Sequence, residues 1–271
     1  MTDVIRLKVT DNDLVVKPKV DTVEEVIKEI EVPIPAEDVD RVLDRSATEI
    51  STGVSVIGNY ALAFSDKLVG IHGNLVESLK NCALYMCSSL TTIDLPNLKN
   101  IETNSLYGCP LTTEVTFPEL TRLDSSSFNK SVAEIINAPK LTTLLGQNFT
   151  ASKVKELKAP QLIELPNLFM YGATKLQRAV FPNCNAVGNS AFEGCSSAEI
   201  IDLGHPLSVG GSAFDYVKCN VYIRTPTLCN MLRPTSNFRG RFLVPSALVD
   251  QYKVADNWST WADQIFAIEE E

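Results

Sequence analysis

The stretch Leu90-Thr-Thr-Ile93-Asp-Leu95-Pro96-Asn-Leu98-Lys-Asn-Ile101-Glu-Thr-Asn-Ser105-Leu106-Tyr-Gly-Cys109 decides how this chain folds. Leu90, Ile93 and Leu95 point to one side of a short extended segment. Pro96 ends that segment, because proline has no N–H to give to a central ladder. Leu98 and Ile101 turn inward again, Ser105-Leu106 opens the opposite side, and Gly108-Cys109 turns the chain back. One such unit cannot cover its own apolar residues. They are buried only where units of the same shape stack on it.

Such units lie on both sides. Outward from Ile101, apolar anchors recur at Ile57, Leu79, Leu123, Leu144, Leu165, Val187 and Val209, every 21 or 22 residues. Five residues after each anchor comes a second apolar residue: Leu62, Leu84, Leu106, Phe128, Phe149, Met170, Phe192 and Phe214. A proline column, Pro96, Pro118, Pro139, Pro160 and Pro182, keeps the same period. A fixed spacing in this range predicts a solenoid. Rungs spaced about 4.8 Å apart give eight anchors a stack of roughly 35 to 40 Å, with the strands aligned in parallel. Cys87, Cys109 and Cys195 each sit eight residues after an anchor, where Ser65 and Ala173 stand in other rungs. A column of small residues predicts buried free thiols rather than disulfides or metal ligands. The turn from Asn148 to Lys155 is the thinnest, and the outer wall is expected to be irregular there.

Three regions follow: residues 1–50, 51–245 and 246–271. In the first, Ile5, Leu7 and Val9 alternate with Arg6 and Lys8 as a strand, and Leu14-Val15-Val16 can return as a hairpin across the turn at 10–13. Asp21-Thr22-Val23-Glu24 opens a short helix, with Val23, Val26, Ile27 and Ile30 on one face. Two readings fit: a cap over the first rung, or a docking segment in which those four residues form an intersubunit seam. From Ser246 the pattern becomes helical, with Ser246 as cap of Ala247–Val254. Trp258 and Trp261 are then expected to plug the last rung.

The runs Leu90–Leu98, Val187–Cys195 (VGNSAFEGC) and Val209–Phe214 (VGGSAF) resemble the Treponema-type, or BspA-like, leucine-rich repeat. The ending Leu243-Val-Pro-Ser-Ala-Leu-Val-Asp-Gln-Tyr-Lys with Asn257-Trp-Ser-Thr-Trp resembles that family's terminal segment. The resemblance implies an α/β solenoid with a parallel strand ladder, a small N-terminal β/α segment and a helical C-terminal cap. It also implies a non-enzymatic adhesion or protein-binding module. Related repeats occur in bacteriophages of gut Firmicutes, and the opening MTDVIRLKVTDND is similar to theirs. That opening lacks the apolar stretch of a secretory signal. The resulting expectation is a virion surface or tail-associated protein. It would meet virion proteins through residues 1–50, either singly or as a homo-oligomer, and a protein or glycan on the host surface through its repeats. A bacterial cell-surface adhesin and a virion decoration without a receptor are the alternatives.

Nothing in the sequence is arranged for chemistry. His72 falls in an outward strand column and His205 in a turn, with no second ligand spaced for a metal. There is no phosphate-cradling glycine loop and no Gly-x-Ser-x-Gly elbow. No cofactor is expected. Formal net charge is −9 without a basic stripe, which disfavours nucleic acid. No apolar run reaches the ~18 residues of a membrane span. The outward strand columns remain as the candidate binding face: His72, Asp94, Thr116, Asn137, Lys158 and Asp202 in one, Thr92, Glu114, Glu156 and Arg178 in the other. Six after each anchor, Tyr85, Tyr107 and Tyr171 are expected to pack on the adjacent rung. Arg224, Arg233, Arg239 and Arg241 fall near the C-terminal end, as a solvated edge or an acidic contact.

Overall fold

A computed structural model describes residues 4–10, 13–15 and 47–269, with side chains from residue 47. The chain winds into a solenoid whose rungs have three walls. The strand wall carries one strand per rung, from Glu49–Thr52, Gly70–His72 and Thr92–Asp94 through Glu114–Thr116, Ile135–Asn137, Glu156–Lys158, Arg178–Phe181, Ile200–Leu203 and Asn220–Ile223 to Arg241–Val244. Neighbouring strands are parallel, and the pairing runs through Ile136 with Val115 and Leu157, and Ile201 with Ala179 and Val221. Their inward residues are buried, Ile93 only partly, and the strands stop before their prolines, as at Asp94 and Lys158.

The anchors form a second wall, separate from the first. Two-residue parallel strands run from Val56–Ile57 to Thr143–Leu144 and from Glu164–Leu165 to Asn230–Met231. Every anchor is buried, and so is every residue of the column five places on. Met231, 22 residues after Val209, is a ninth anchor that the column of aliphatic residues concealed.

The third wall is made of turns. In the first rung Tyr60 and Phe64 have positive φ, and Cys82 and Met86 repeat this one rung on. The turn points every second N–H along the stack. Tyr60, Leu62 and Phe64 donate to the carbonyls of Asn81, Ala83 and Tyr85 at 3.0, 2.9 and 2.8 Å. The N–H groups between them close local turns on Gly58, Tyr60 and Leu62.

Inside the walls the fillers change along the stack. Leucines at 62, 84 and 106 fill the first rungs. From Phe117 onward a continuous aromatic spine takes over, with Phe128 on Phe149 at 6.0 Å, Phe149 on Phe169 at 5.8 Å and Phe192 on Phe214 at 6.0 Å. Each such side chain contributes roughly 1.5–3 kcal/mol by leaving water. All seven cysteines are buried, and none forms a disulfide. Those of the small-residue column also donate: Cys87 Sγ to Leu62 O at 3.0 Å, Cys109 Sγ to Leu84 O at 3.1 Å and Cys195 Sγ to Met170 O at 3.3 Å.

At the N-terminal end, Val4–Thr10 pairs in parallel with Glu49–Thr52 and antiparallel with Asp13–Val15, which gives the hairpin its place on the first rung. Val23, Val26, Ile27 and Ile30 lie outside the described residues. At the other end, Val249–Val254 is an α-helix, flanked by 3-10 turns at Ser246–Leu248 and Ser259–Gln264. Ser246 makes no side-chain cap there: it belongs to the leading 3-10 turn, and Leu248 stands at the N-cap of the helix. The cap also contains a strand the sequence reading did not foresee. Ile265–Ala267 adds in parallel to Arg241–Val244, so the last ladder edge is covered by the chain's own tail.

The ladders break at two places among the described residues, in the strand wall between Thr92–Asp94 and Glu114–Thr116 and, as a seam, in the second wall. No ladder joins Thr143–Leu144 to Glu164–Leu165 among the described residues, and the second wall divides there into separate sheets. The position after the anchor normally donates backward, as Lys80 does to Ile57 and Gly188 to Leu165. Pro166 occupies that position in the sixth rung and has no N–H to give. The thin turn before it is irregular, with left-handed residues at Gly146 and Ala151 and the side chain of Asn148 taking the N–H of Ser127 at 3.1 Å.

Candidate binding faces

The outward residues of the strand wall stand in the two columns read from the sequence. Ile135 pairs with Glu114 and Glu156, Glu156 with Arg178, and Arg178 with Ile200. His72 lies beside Asp94, and Asn137 between Thr116 and Lys158. All ten candidate residues are at least partly exposed.

Their charges are largely turned on one another. Arg178 Nε lies 3.2 Å from Glu156 Oε1, and Lys158 Nζ lies 3.9 Å from Glu114 Oε1. Arg224 holds Asp202 through two bonds of 2.7 Å, and this carboxylate raises the guanidinium pKa further. His72 is not isolated. Its Nε2 is 3.1 Å from Glu49 Oε2 and its Nδ1 3.6 Å from Asp94 Oδ2. Gly70 makes room for this, since a Cβ there would lie 2.8 Å from Glu49 Cδ. The two ring nitrogens face opposite carboxylates, so the three groups do not converge on one ion. Among the described residues no cluster of three or more His, Cys, Asp or Glu is placed to hold a metal. Exposed pairs of this kind contribute about 0–1 kcal/mol each, so they set a charge pattern more than they stabilise. Thr92, Thr116 and Asn137 are the polar residues of this face without a charge. Ser51, Thr52 and Asn74 border a shallow hollow beside His72 and Asp94.

The arginines near the C-terminal end do not share one role. Arg224 belongs to Asp202, while Arg241 lies 5.1 Å from the Phe266 ring.

The turn wall carries a second face that the sequence reading saw only in part. Tyr85 stacks on Tyr107 at 5.0 Å and 21°, so these two tyrosines pack rung on rung, while Tyr171 is exposed. Phe64 meets Tyr85 at 5.4 Å edge to face, and Lys130 Nζ lies 5.3 Å from the centre of the Tyr107 ring. Met86 reaches across Gly108, whose absent Cβ would sit 2.6 Å from its sulfur. The signal for Phe64 and Met86 lay in the column seven after the anchor, where Gly108, Gly172 and Gly194 stand in other rungs. No helix among the described residues is long and apolar enough to cross a membrane.

A family model described as the BspA type leucine rich repeat region matches residues 44–155 and 130–232, with six copies. Among solved structures, a leucine-rich repeat protein from Bacteroides ovatus aligns over 99% of this chain and 99% of its own, at 15% identity and a TM-score of 0.45. The pneumococcal vaccine antigen PcpA aligns over 83% of this chain and 80% of its own, at 12% identity and a TM-score of 0.36. No curated protein matches the chain significantly.

Proposed function

The chain belongs to the BspA-type leucine-rich repeat family, and from that premise we propose that it works by binding rather than by catalysis, on the outside of a bacteriophage particle. The strand wall meets a protein or glycan on the host cell surface, and residues 1–50 join the chain to other virion proteins. The observation that supports binding is the strand wall itself. Its in-register columns keep polar and charged groups at fixed spacing on a rigid ladder, and a partner can be held there through several separated contacts. The phage setting rests on the resemblance of the N-terminal stretch.

Labelled protein applied to a panel of gut Firmicutes tests the face. Binding to at least one strain is expected. Thr92→Arg, Thr116→Arg and Asn137→Arg together should abolish it without lowering the melting temperature, because all three point away from the core. Equal binding by the triple variant excludes the strand wall. Absence of binding to any strain favours a decoration without a receptor. Antibody against the repeats that labels bacterial cells but no phage particles favours the cell-surface adhesin.

A further inference from the structure

The outward side of the strand wall changes character along its length. In the middle rungs it is mostly polar, from Thr92 and Asp94 to Glu156 and Lys158. In the last rungs it turns apolar. Val180, Asp202, Tyr222, Leu243 and Phe266 stand in one register column, and Ile200 lies two residues before Asp202 on the same side. Val180, Ile200, Tyr222 and Leu243 are half-buried and Phe266 is 42% exposed, while the residues alternating with them fill the core.

The edge where these strands begin is basic. Period-two alternation places Lys218, Arg239 and Arg241 on the outward side with Tyr222 and Leu243. Arg239 donates its N–H to the carbonyl of Val217 at 2.9 Å, which sets it beside Lys218 on the preceding rung, and Arg241 pairs in register with Asn220. All three are exposed. Seven basic residues between 80 and 178 face a carboxylate at 3.9 Å or less. Lys218, Arg239 and Arg241 hold none among the described residues, although Glu199 and Asp263 lie just before the flanking strands.

Residues 216–249 hold five Lys and Arg and no Asp or Glu, in a chain of net charge −9. This end is therefore a positive pole on an acidic molecule, and it draws a negatively charged partner. The neighbouring strip narrows the choice of partner. A sugar needs a free ring face, and the guanidinium groups of Arg224 and Arg241 stand 5.1 Å from the centres of the Tyr222 and Phe266 rings. A polymer of phosphates matches the cations but has nothing to set against Val180, Ile200 and Leu243. Arginine and aromatic residues beside apolar ones are the side chains enriched in protein–protein interfaces. The complementary surface is a polypeptide with carboxylates along one edge and apolar side chains beside them.

We infer that the C-terminal end of the strand wall holds an acidic, partly apolar segment of a partner protein. Its carboxylates meet Lys218, Arg239 and Arg241, and its apolar side chains meet Tyr222, Leu243 and Phe266. This rests on the reading of the strand wall as a binding face and names the partner's chemistry there. Fluorescence anisotropy of the full chain with a labelled random copolymer of glutamate and tyrosine tests it, with polyglutamate and inorganic polyphosphate as comparison probes. The copolymer should bind about tenfold tighter than either, and added salt should weaken it. Arg239→Glu/Arg241→Glu should lose about tenfold or more, and should melt like wild type because both side chains are exposed. Lys99→Glu/Lys140→Glu makes the same change of charge elsewhere and should bind the copolymer like wild type. Absence of copolymer binding overturns the inference, as do equal losses in the two charge-reversal variants. Equal affinity for polyglutamate or polyphosphate overturns it too, since charge alone then explains the contact. Self-association that Arg239→Glu/Arg241→Glu abolishes makes the occupant a second copy and overturns it as well. Host cells that bind Arg239→Glu/Arg241→Glu as they bind wild type overturn the inference and leave the strand-wall reading standing. Copolymer binding with the expected losses, but no binding to any cell, overturns the host-surface reading and leaves this assignment standing.

Discussion

At the residue scale the cysteines show how position replaces chemistry. Burial pushes the thiols of Cys184 and Cys229 up to about 12 and that of Cys219 up to about 11, from an ordinary value of 9.0. The native state thus keeps protons that the unfolded chain gives up near pH 9.0. The unfolded state binds fewer protons above that point, so stability falls as pH rises, and the contribution is intact below it. Each thiol then removes up to about 1.4 kcal/mol per pH unit. Urea unfolding under reducing conditions should show a falling midpoint between pH 9 and about 11, and Cys184→Ala should flatten that fall. Cys87, Cys109 and Cys195 were legible as a small-residue column. Their hydrogen bonds to the carbonyls of the preceding rung were not, because spacing does not say which way a thiol turns. The pairing of His72 with Glu49 was hidden for the same reason: Glu49 lies 23 residues earlier and reaches it only because Gly70 has no side chain.

At the scale of the element, the C-terminal cap is held by two aromatics that satisfy a single residue of the stack. Trp258 Nε1 donates to the carbonyl of Cys229 at 2.7 Å, and the N–H of Cys229 donates to the Tyr252 hydroxyl at 2.9 Å. Trp258 also packs edge to face on Phe242 at 5.0 Å. Trp258→Ala should therefore lower stability by about 3–5 kcal/mol. Trp258→Phe keeps most of the packing but strands the carbonyl, at about 1–3 kcal/mol. Chemical denaturation of both variants separates the two contributions, and equal losses would place the stabilisation in the hydrogen bond alone. The plug by Trp258 was readable from its place after the last rung. The strand Ile265–Ala267 was not, because three residues carry too little period to tell a strand from the tail of a helical segment. The turn wall was opaque in a different way. Its left-handed residues recur at fixed offsets, but with Tyr, Phe, Cys, Met, Asn, Ser and Gly sharing the positions, no composition marks them.

For the whole molecule, the anchors, the walls' register and the outward columns were all present in a 21- or 22-residue period, since one geometry repeats and errors at one rung are corrected by the next. The seam is where repetition fails. Stability of a stack is the sum of its rungs and of the contacts between neighbours. Between the rungs of Leu144 and Leu165 the second wall has no ladder, Pro166 lacks its donor, and the strand pairing of Ile135–Asn137 with Glu156–Lys158 carries the connection. Hydrogen exchange should therefore show weaker protection at 145–153 than at the equivalent turns on either side. Denaturation should resolve two transitions, and Pro166→Ala should merge them. A single transition in the wild type with uniform protection would show that the aromatic spine, through Phe149 and Phe169, couples the halves by itself.

The main-chain bonds from Tyr60 to Asn81, Cys82 to Thr103, Phe192 to Ala213 and Tyr216 to Asn237 run one way along the stack. A rung is thus an adaptor with a plug on one side and a socket on the other. Duplicating or deleting a whole rung preserves every fit, while adding two or three residues inside a turn breaks one. Evolution can lengthen or shorten this stack by complete rungs with little penalty, so relatives of different reach should differ by multiples of the period. The two ends can never exchange their covers, because what closes a socket does not fit a plug.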